Sequence, residues 1–154
     1  MIKITTILDV MGDSLPFDEI TELLGVQPTQ TRRREEFPNP TFGIDRWTYQ
    51  IQAIYPVPQS EDGFAVDCPF PDVMVQLNQI QQAFVGGAER FAEWRRTHPV
   101  NVLLDVWIHS DDETVPLMIM PSSFVQFTAL IGADVEYIVS VNSPTAVHPT
   151  LIEP

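Results

Sequence analysis

The chain holds one cysteine, Cys68, and three histidines, His98, His109 and His148, far apart in sequence. A single thiol excludes an intramolecular disulfide and any multi-cysteine metal site, as suits a reducing cytosol. Histidines so spaced, with no cysteine beside them, make no zinc pattern. Basic residues are also scarce: eight Lys and Arg face 21 Asp and Glu, and the formal net charge is -13. Such a chain repels polyanions and anionic bilayers, so neither nucleic acid nor a membrane is an expected partner. No apolar run approaches the length of a membrane-spanning helix. Met1 to Val10 has neither the long apolar core nor the small-residue cleavage site of a signal peptide. A soluble cytoplasmic protein is the expectation. Missing as well are a nucleophile with its base, a phosphate-binding loop and a metal-ligand cluster, so no catalytic residue, metal or cofactor is assigned.

What is present is ordinary globular composition, with 44% hydrophobic and 19% charged residues in 154. That length fits one domain, 1–154, which buries about two-thirds of its unfolded surface without a staple. Ile2, Ile4, Thr6 and Leu8 alternate with Lys3, Thr5, Ile7 and Asp9, which predicts a strand over Ile2 to Val10. Pro16 then suits a helix start, and Phe17, Ile20, Leu23 and Leu24 form one stripe that ends at Gly25 and Pro28. Thr29 to Glu36 should be extended, and Arg46 to Tyr55 reads as a half-buried strand. The Pro-rich stretch 55–71 reads as a long loop, either a lid or an inert insertion.

Val73, Leu77, Ile80 and Phe84 recur at helical spacing, with Gln76, Asn78, Gln79, Gln81 and Gln82 assigned to the opposite, polar face. Gly86 and Gly87 interrupt this helical segment before Phe91 and Trp94. Val100 to Ile108 is the clearest strand, its second face partly covered. Val115, Leu117 and Ile119 suggest its hairpin partner across an acidic turn. Ser122 or Ser123 should cap a third helix stopped by Gly132, Val135 to Val141 should close the sheet, and 142–154 is a loose tail. The expected architecture is α+β: a mainly antiparallel sheet of about six strands with three helical segments, opening as a ferredoxin-like β-α-β-β-α-β unit followed by β-α-β.

The run Gly12-Asp13, the helix Asp18 to Gly25 reading DEITELLG, the segment Pro28 to Arg34 reading PTQTRRR, and Trp47 opening a later strand carry a likeness to known sequences. In these motifs the chain resembles an uncharacterised bacterial family, domain of unknown function 4279, over nearly its whole length. It departs after the arginines, where Glu35-Glu36 and a Pro-rich stretch stand in place of a glycine turn. The resemblance supports the fold and carries over no catalytic residue.

Arg32, Arg33 and Arg34 are the basic cluster of the first half. An extended strand would put Arg32 and Arg34 on one face, where the pair could grip a carboxylate or phosphate; alternatively the arginines pair with Glu35, Glu36 or Asp45. Trp47 is either an interface anchor or a core residue. His109 sits at a strand end, and Asp105, four residues away on the same face, is too far along a strand to orient it as a general acid or base. Asp111, Asp112 and Glu113 lack the ligand spacing of a calcium loop and read as an acidic turn that a basic partner could meet. Two functions follow. The first is a non-catalytic binding protein of the inhibitor or immunity type, whose acidic surface engages a basic protein. The second is a small-molecule or anionic-ligand domain, possibly enzymatic, built on Arg32 and Arg34.

Overall fold

The computed structural model describes residues 1–55, 73–111 and 119–141. The alternating opening segment forms β1 (Ile2–Gly12), followed by α1 (Phe17–Leu24), the short β2 (Gln30–Arg32) and β3 (Asp45–Tyr55). Then come α2 (Val73–Phe84), α3 (Ala88–Arg95), β4 (Asn101–Ser110), α4 (Ser122–Ile131) and β5 (Ala133–Val141). The five strands make one sheet in the order β2-β3-β1-β4-β5. β1 lies between β3 and β4 and is antiparallel to both, while β2 pairs antiparallel with β3. The connection from β3 to β4 through α2 and α3 therefore straddles β1, the split β-α-β arrangement expected for the opening unit.

Two expectations are corrected. The sheet is mixed, because α4 carries the chain back to start β5 parallel to β4, as a helical crossover requires. The helical stretch after Asp72 is two helices rather than one, and the described helices number four. Gly87 lets the start of α3 lie against the end of α1, where a Cβ would run into the Leu23 and Leu24 carbonyls. The sixth strand, expected around Val115 to Ile119, falls almost wholly outside the described residues, and 119–121 is irregular. The expected long loop and the tail also lie outside them.

The even residues of β1 and β4 and the odd residues of β3 and β5 face the helices. Ile2, Ile4, Leu8, Val10, Trp47, Leu104, Val106 and Ile108 are buried there with Leu77, Ile80, Phe84, Phe91, Phe124 and Phe127. Phe84 meets Trp47 and Tyr49 edge-on, at centroid distances of 6.3 and 5.0 Å. Gln76, expected on the solvent side of α2, is instead buried in this core. It accepts a hydrogen bond from Thr6 Oγ1 at 2.7 Å and donates to the Ile4 carbonyl at 3.1 Å, tying α2 to the central strand. α4 is preceded by Pro121 and has no side-chain cap, so neither Ser122 nor Ser123 plays the capping role expected of it.

Among the described residues, no helix packs on the other face of the sheet. That open face holds Lys3, Thr5, Ile7 and Asp9 of β1, flanked by Arg46, Thr48, Gln50 and Gln52 of β3. On its other side stand Leu103, Asp105, Trp107 and His109 of β4, then Asp134 and Glu136 of β5.

Candidate functional site

The three arginines do not share one strand. β2 ends at Arg32, and Arg34–Glu36 form a single 3-10 turn, so the extended reading holds for Gln30–Arg32 but not beyond, and the Arg32–Arg34 pairing built on it does not hold. The cause is Asp45. Its carboxylate, almost fully buried, accepts hydrogen bonds from Arg33 Nη1 at 2.6 Å, from the Leu15 backbone N–H at 3.0 Å and from the Arg34 backbone N–H at 2.8 Å. Arg33 also donates to the Leu15 carbonyl and lies over the Phe17 ring, 3.8 Å from its centroid. Burial pushes the Asp45 carboxyl up, but these hydrogen bonds and the Arg33 charge outweigh it and hold the group below the usual carboxylate range. The turn swings Arg34 away from the open face, where its Nε donates to the Pro40 carbonyl at 2.7 Å and Nη1 approaches Asp13 at 3.9 Å.

Arg32 stays on the open face, and its neighbour there is Arg46. The two stand directly opposite in the antiparallel β2–β3 ladder. Like charges in that position repel unless an anion lies between or beside them. Asp9 supplies part of that charge: Arg46 Nη1 is 3.5 Å from its Oδ2, and Thr48 Oγ1 donates to its Oδ1. Arg32 rests over the Phe37 ring, 4.2 Å from its centroid, and donates to the Glu36 carbonyl. Around these groups lies a cavity of about 250 Å³ lined by Ile7, Asp9, Gln30, Arg32, Phe37, Arg46, Thr48, Gln50, Asp105 and Trp107. Trp107 is 45% exposed at its rim.

Arg46 and Asp105 both line this cavity, and one atom of each, Arg46 Nε and Asp105 Oδ1, is buried out of its reach without a hydrogen-bond partner. Burial pushes the Asp105 carboxyl up, and the charges of Glu136 and Asp9 push the same way, outweighing a hydrogen bond from the Trp107 side chain and the charge of Arg46. Asp9, 4% exposed, is also raised, by burial that exceeds the help of Thr48 and Arg46. The site thus has a cationic end at Arg32 and Arg46, an acidic centre, and aromatic walls in Phe37 and Trp107.

The remaining candidates are dispersed. Trp47 is fully buried against Phe84, and its indole N–H donates to Thr21 Oγ1 at 2.9 Å, so it is a core residue and out of reach of a partner. His109 lies farther along the open face, in a shallow cavity shared with Lys3, Gln52 and Trp107. Its Nδ1 is 3.1 Å from Ser140 Oγ and its Nε2 is 3.6 Å from Asp111. Asp111 also sits 3.5 Å from the amino group of Met1. Asp112 and Glu113 lie outside the described residues. Arg46 and Asp9 are not among the sequence candidates, and nothing in the sequence joins Asp105 and Trp107 to Arg32; alternation assigns each to a strand face, but only register brings the residues of three strands together. Arg90 and Arg95 bond backbone carbonyls, Arg90 that of Leu23 and Arg95 those of Ile131 and Val100.

Among the described residues, no group of His, Cys, Asp or Glu side chains is arranged to hold a metal ion, and no helix is long and apolar enough to cross a membrane. No curated protein and no solved structure matches the chain. A family model does, over residues 2–142, a span that takes in every described strand and helix. The chain therefore belongs to the family described as domain of unknown function (DUF4279).

Proposed function

We propose that this chain is a non-catalytic binding domain that takes a small anionic ligand in the cavity on the open face of its sheet, gripped by Arg32 and Arg46. The observation that carries this reading is the pair of arginines placed opposite each other in register and lining one cavity. A carboxylate or phosphate at that end relieves the repulsion between the cations, and Phe37 and Trp107 provide apolar walls. The Arg32–Arg46 pair takes the place of the expected Arg32–Arg34 pair, which the 3-10 turn separates. Calorimetric titration with 3-phenylpropionate and with inorganic phosphate tests the reading. Binding of at least one anion, weakened about 10-fold or more in Arg46→Gln through loss of a charged hydrogen bond, is the expected result. Equal binding to the variant, or none to the wild type, removes it.

A second reading has its own support. Asp105, Asp134 and Glu136 form an acidic strip on the β4–β5 half of the open face, beside the exposed Trp107, in a chain of net charge -13. That surface suits a basic protein held in the manner of a small inhibitor. Electrostatic steering would make such an association rate fall steeply with added salt, and a rate unchanged between low and high salt would dispose of it.

A further inference from the structure

We infer that the anion is the head of an elongated amphipathic ligand, an unbranched alkyl carboxylate whose head meets Arg32 and Arg46 and whose chain runs down the open face past Ile7 to Trp107. This rests on the anion-binding reading and narrows its ligand class. Strand register supplies the axis. Arg46 stands opposite Met11 of β1, and its guanidinium leans back along the strand to Asp9. Ile7 comes next on that face, level with Gln50 and Asp105, and Trp107 follows opposite Thr5. At about 3.3 Å per residue, the run from Asp9 to Thr5 places Trp107 roughly 13 Å along the sheet from the cationic end.

Space for a ligand continues at Trp107. A second, shallow cavity of about 330 Å³ reaches on to Lys3 and His109 and shares Ile7, Gln50 and Trp107 with the first, so the two form one trough along β1. The shared stretch is apolar at Ile7 and at Trp107, which is half-exposed while Trp47 and Trp94 are buried. Beyond it Ile54, also exposed, stands on the same face opposite Lys3. The stems of Lys3, Gln50 and Gln52 add methylene surface. Acidic groups beside the path already have partners in the protein: Asp9 has Thr48 and Arg46, and Asp105 has a hydrogen bond from the Trp107 side chain that restrains the ring. A compact anion such as phosphate fills the cationic end and leaves Ile7 and Trp107 in water. An alkyl carboxylate covers them too, with a gain that grows with the apolar area removed from water.

Butyrate, hexanoate, octanoate and decanoate, each titrated into the full chain below its micellar range and followed by calorimetry and tryptophan fluorescence, decide the matter. For a chain about half buried, affinity should rise about 10-fold or more from butyrate to octanoate. Octanoate, unlike phosphate, should shift the emission to the blue. Trp107→Ala should flatten the series and leave phosphate binding in place. Gln52→Glu, a near-isosteric change at an exposed position of the second cavity, should weaken decanoate and spare butyrate. Arg46→Gln should weaken every member alike, with circular dichroism confirming that the variants fold. Affinity independent of chain length, a series equally steep in Trp107→Ala, or tighter binding of the dicarboxylate sebacate than of decanoate overturns the alkyl-tail assignment and leaves anion binding standing. Octanol binding as tightly as octanoate, or no binding by any carboxylate or by phosphate, overturns both.

Discussion

Arg33 Nη1 lies 2.6 Å from Asp45 Oδ2 while the backbone N–H of the next residue, Arg34, bonds the other oxygen of the same carboxylate at 2.8 Å. One acidic side chain thereby sets the direction of two consecutive arginines. Removing it in Asp45→Ala leaves the buried Leu15 N–H and the Arg34 N–H without acceptors. A loss of about 3 kcal/mol is expected, seen as a Tm roughly 10 °C lower in thermal unfolding followed by circular dichroism. The folded Asp45 carboxyl is held below its unfolded value, so its contribution is present above about pH 4. It disappears as pH falls through the folded value, and Asp45→Ala should be less sensitive to acid than the wild type between those limits.

Asp105 has the opposite sign. Its folded carboxyl is raised by burial and by Glu136 and Asp9, so the folded state holds the proton more tightly than the unfolded chain. Its stabilising share is present at low pH and is lost as pH rises through the folded value. Asp105→Asn should therefore unfold at a higher temperature than the wild type at pH 7, with the difference shrinking in acid. A lower Tm at pH 7 would show that the carboxylate is structural. A gain in stability at a residue placed in a binding cavity is the trade expected of a functional group.

Gly25 and Gly132 both end helices in the left-handed region, at φ of 70° and 63°, yet they should respond differently to alanine. At Gly25 the added methyl meets open space, and the cost is the backbone strain alone, about 1–2 kcal/mol. At Gly132 the methyl would overlap the Arg95 guanidinium, which bonds the Ile131 carbonyl at 2.8 Å and closes the end of α4. Gly132→Ala should cost more than Gly25→Ala by about 1 kcal/mol or more, since it displaces a charged hydrogen bond as well. Urea unfolding of the two variants measures the gap.

Thr6 and Gln76 form a polar pair inside an apolar core. Gln76→Ala should cost about 2–4 kcal/mol, because it opens a cavity and strips Thr6 Oγ1 of its acceptor. Thr6→Val combined with Gln76→Leu removes both polar partners and should recover much of that loss. A double-mutant cycle in urea measures the coupling; strictly additive single and double changes would mean that the hydrogen bond contributes nothing of its own.

Local chemistry was readable directly from the chain. The alternation of Ile2 to Val10 and of Val100 to Ile108, and the left-handed glycines 25 and 132, depend on a residue and its near neighbours, and each appears where expected. What failed depends on distant partners. Arg34 turns aside because Asp45, 11 positions later, accepts its N–H. Gln76 sits among other glutamines and resembles a solvent residue until Thr6, 70 positions earlier, is seen beside it. The cavity was invisible for the same reason, since Arg32, Asp9 and Asp105 meet only through the register of β2, β3, β1 and β4.

The position of β1 bears on how the molecule comes into being. Its two ladder partners are β3 and β4, and β4 ends at Ser110. On a ribosome adding about 5–20 residues per second, the apolar strand headed by Ile2 and Ile4 waits on the order of 5–20 s for its second neighbour. During that interval one of its hydrogen-bonding edges is open to other nascent chains.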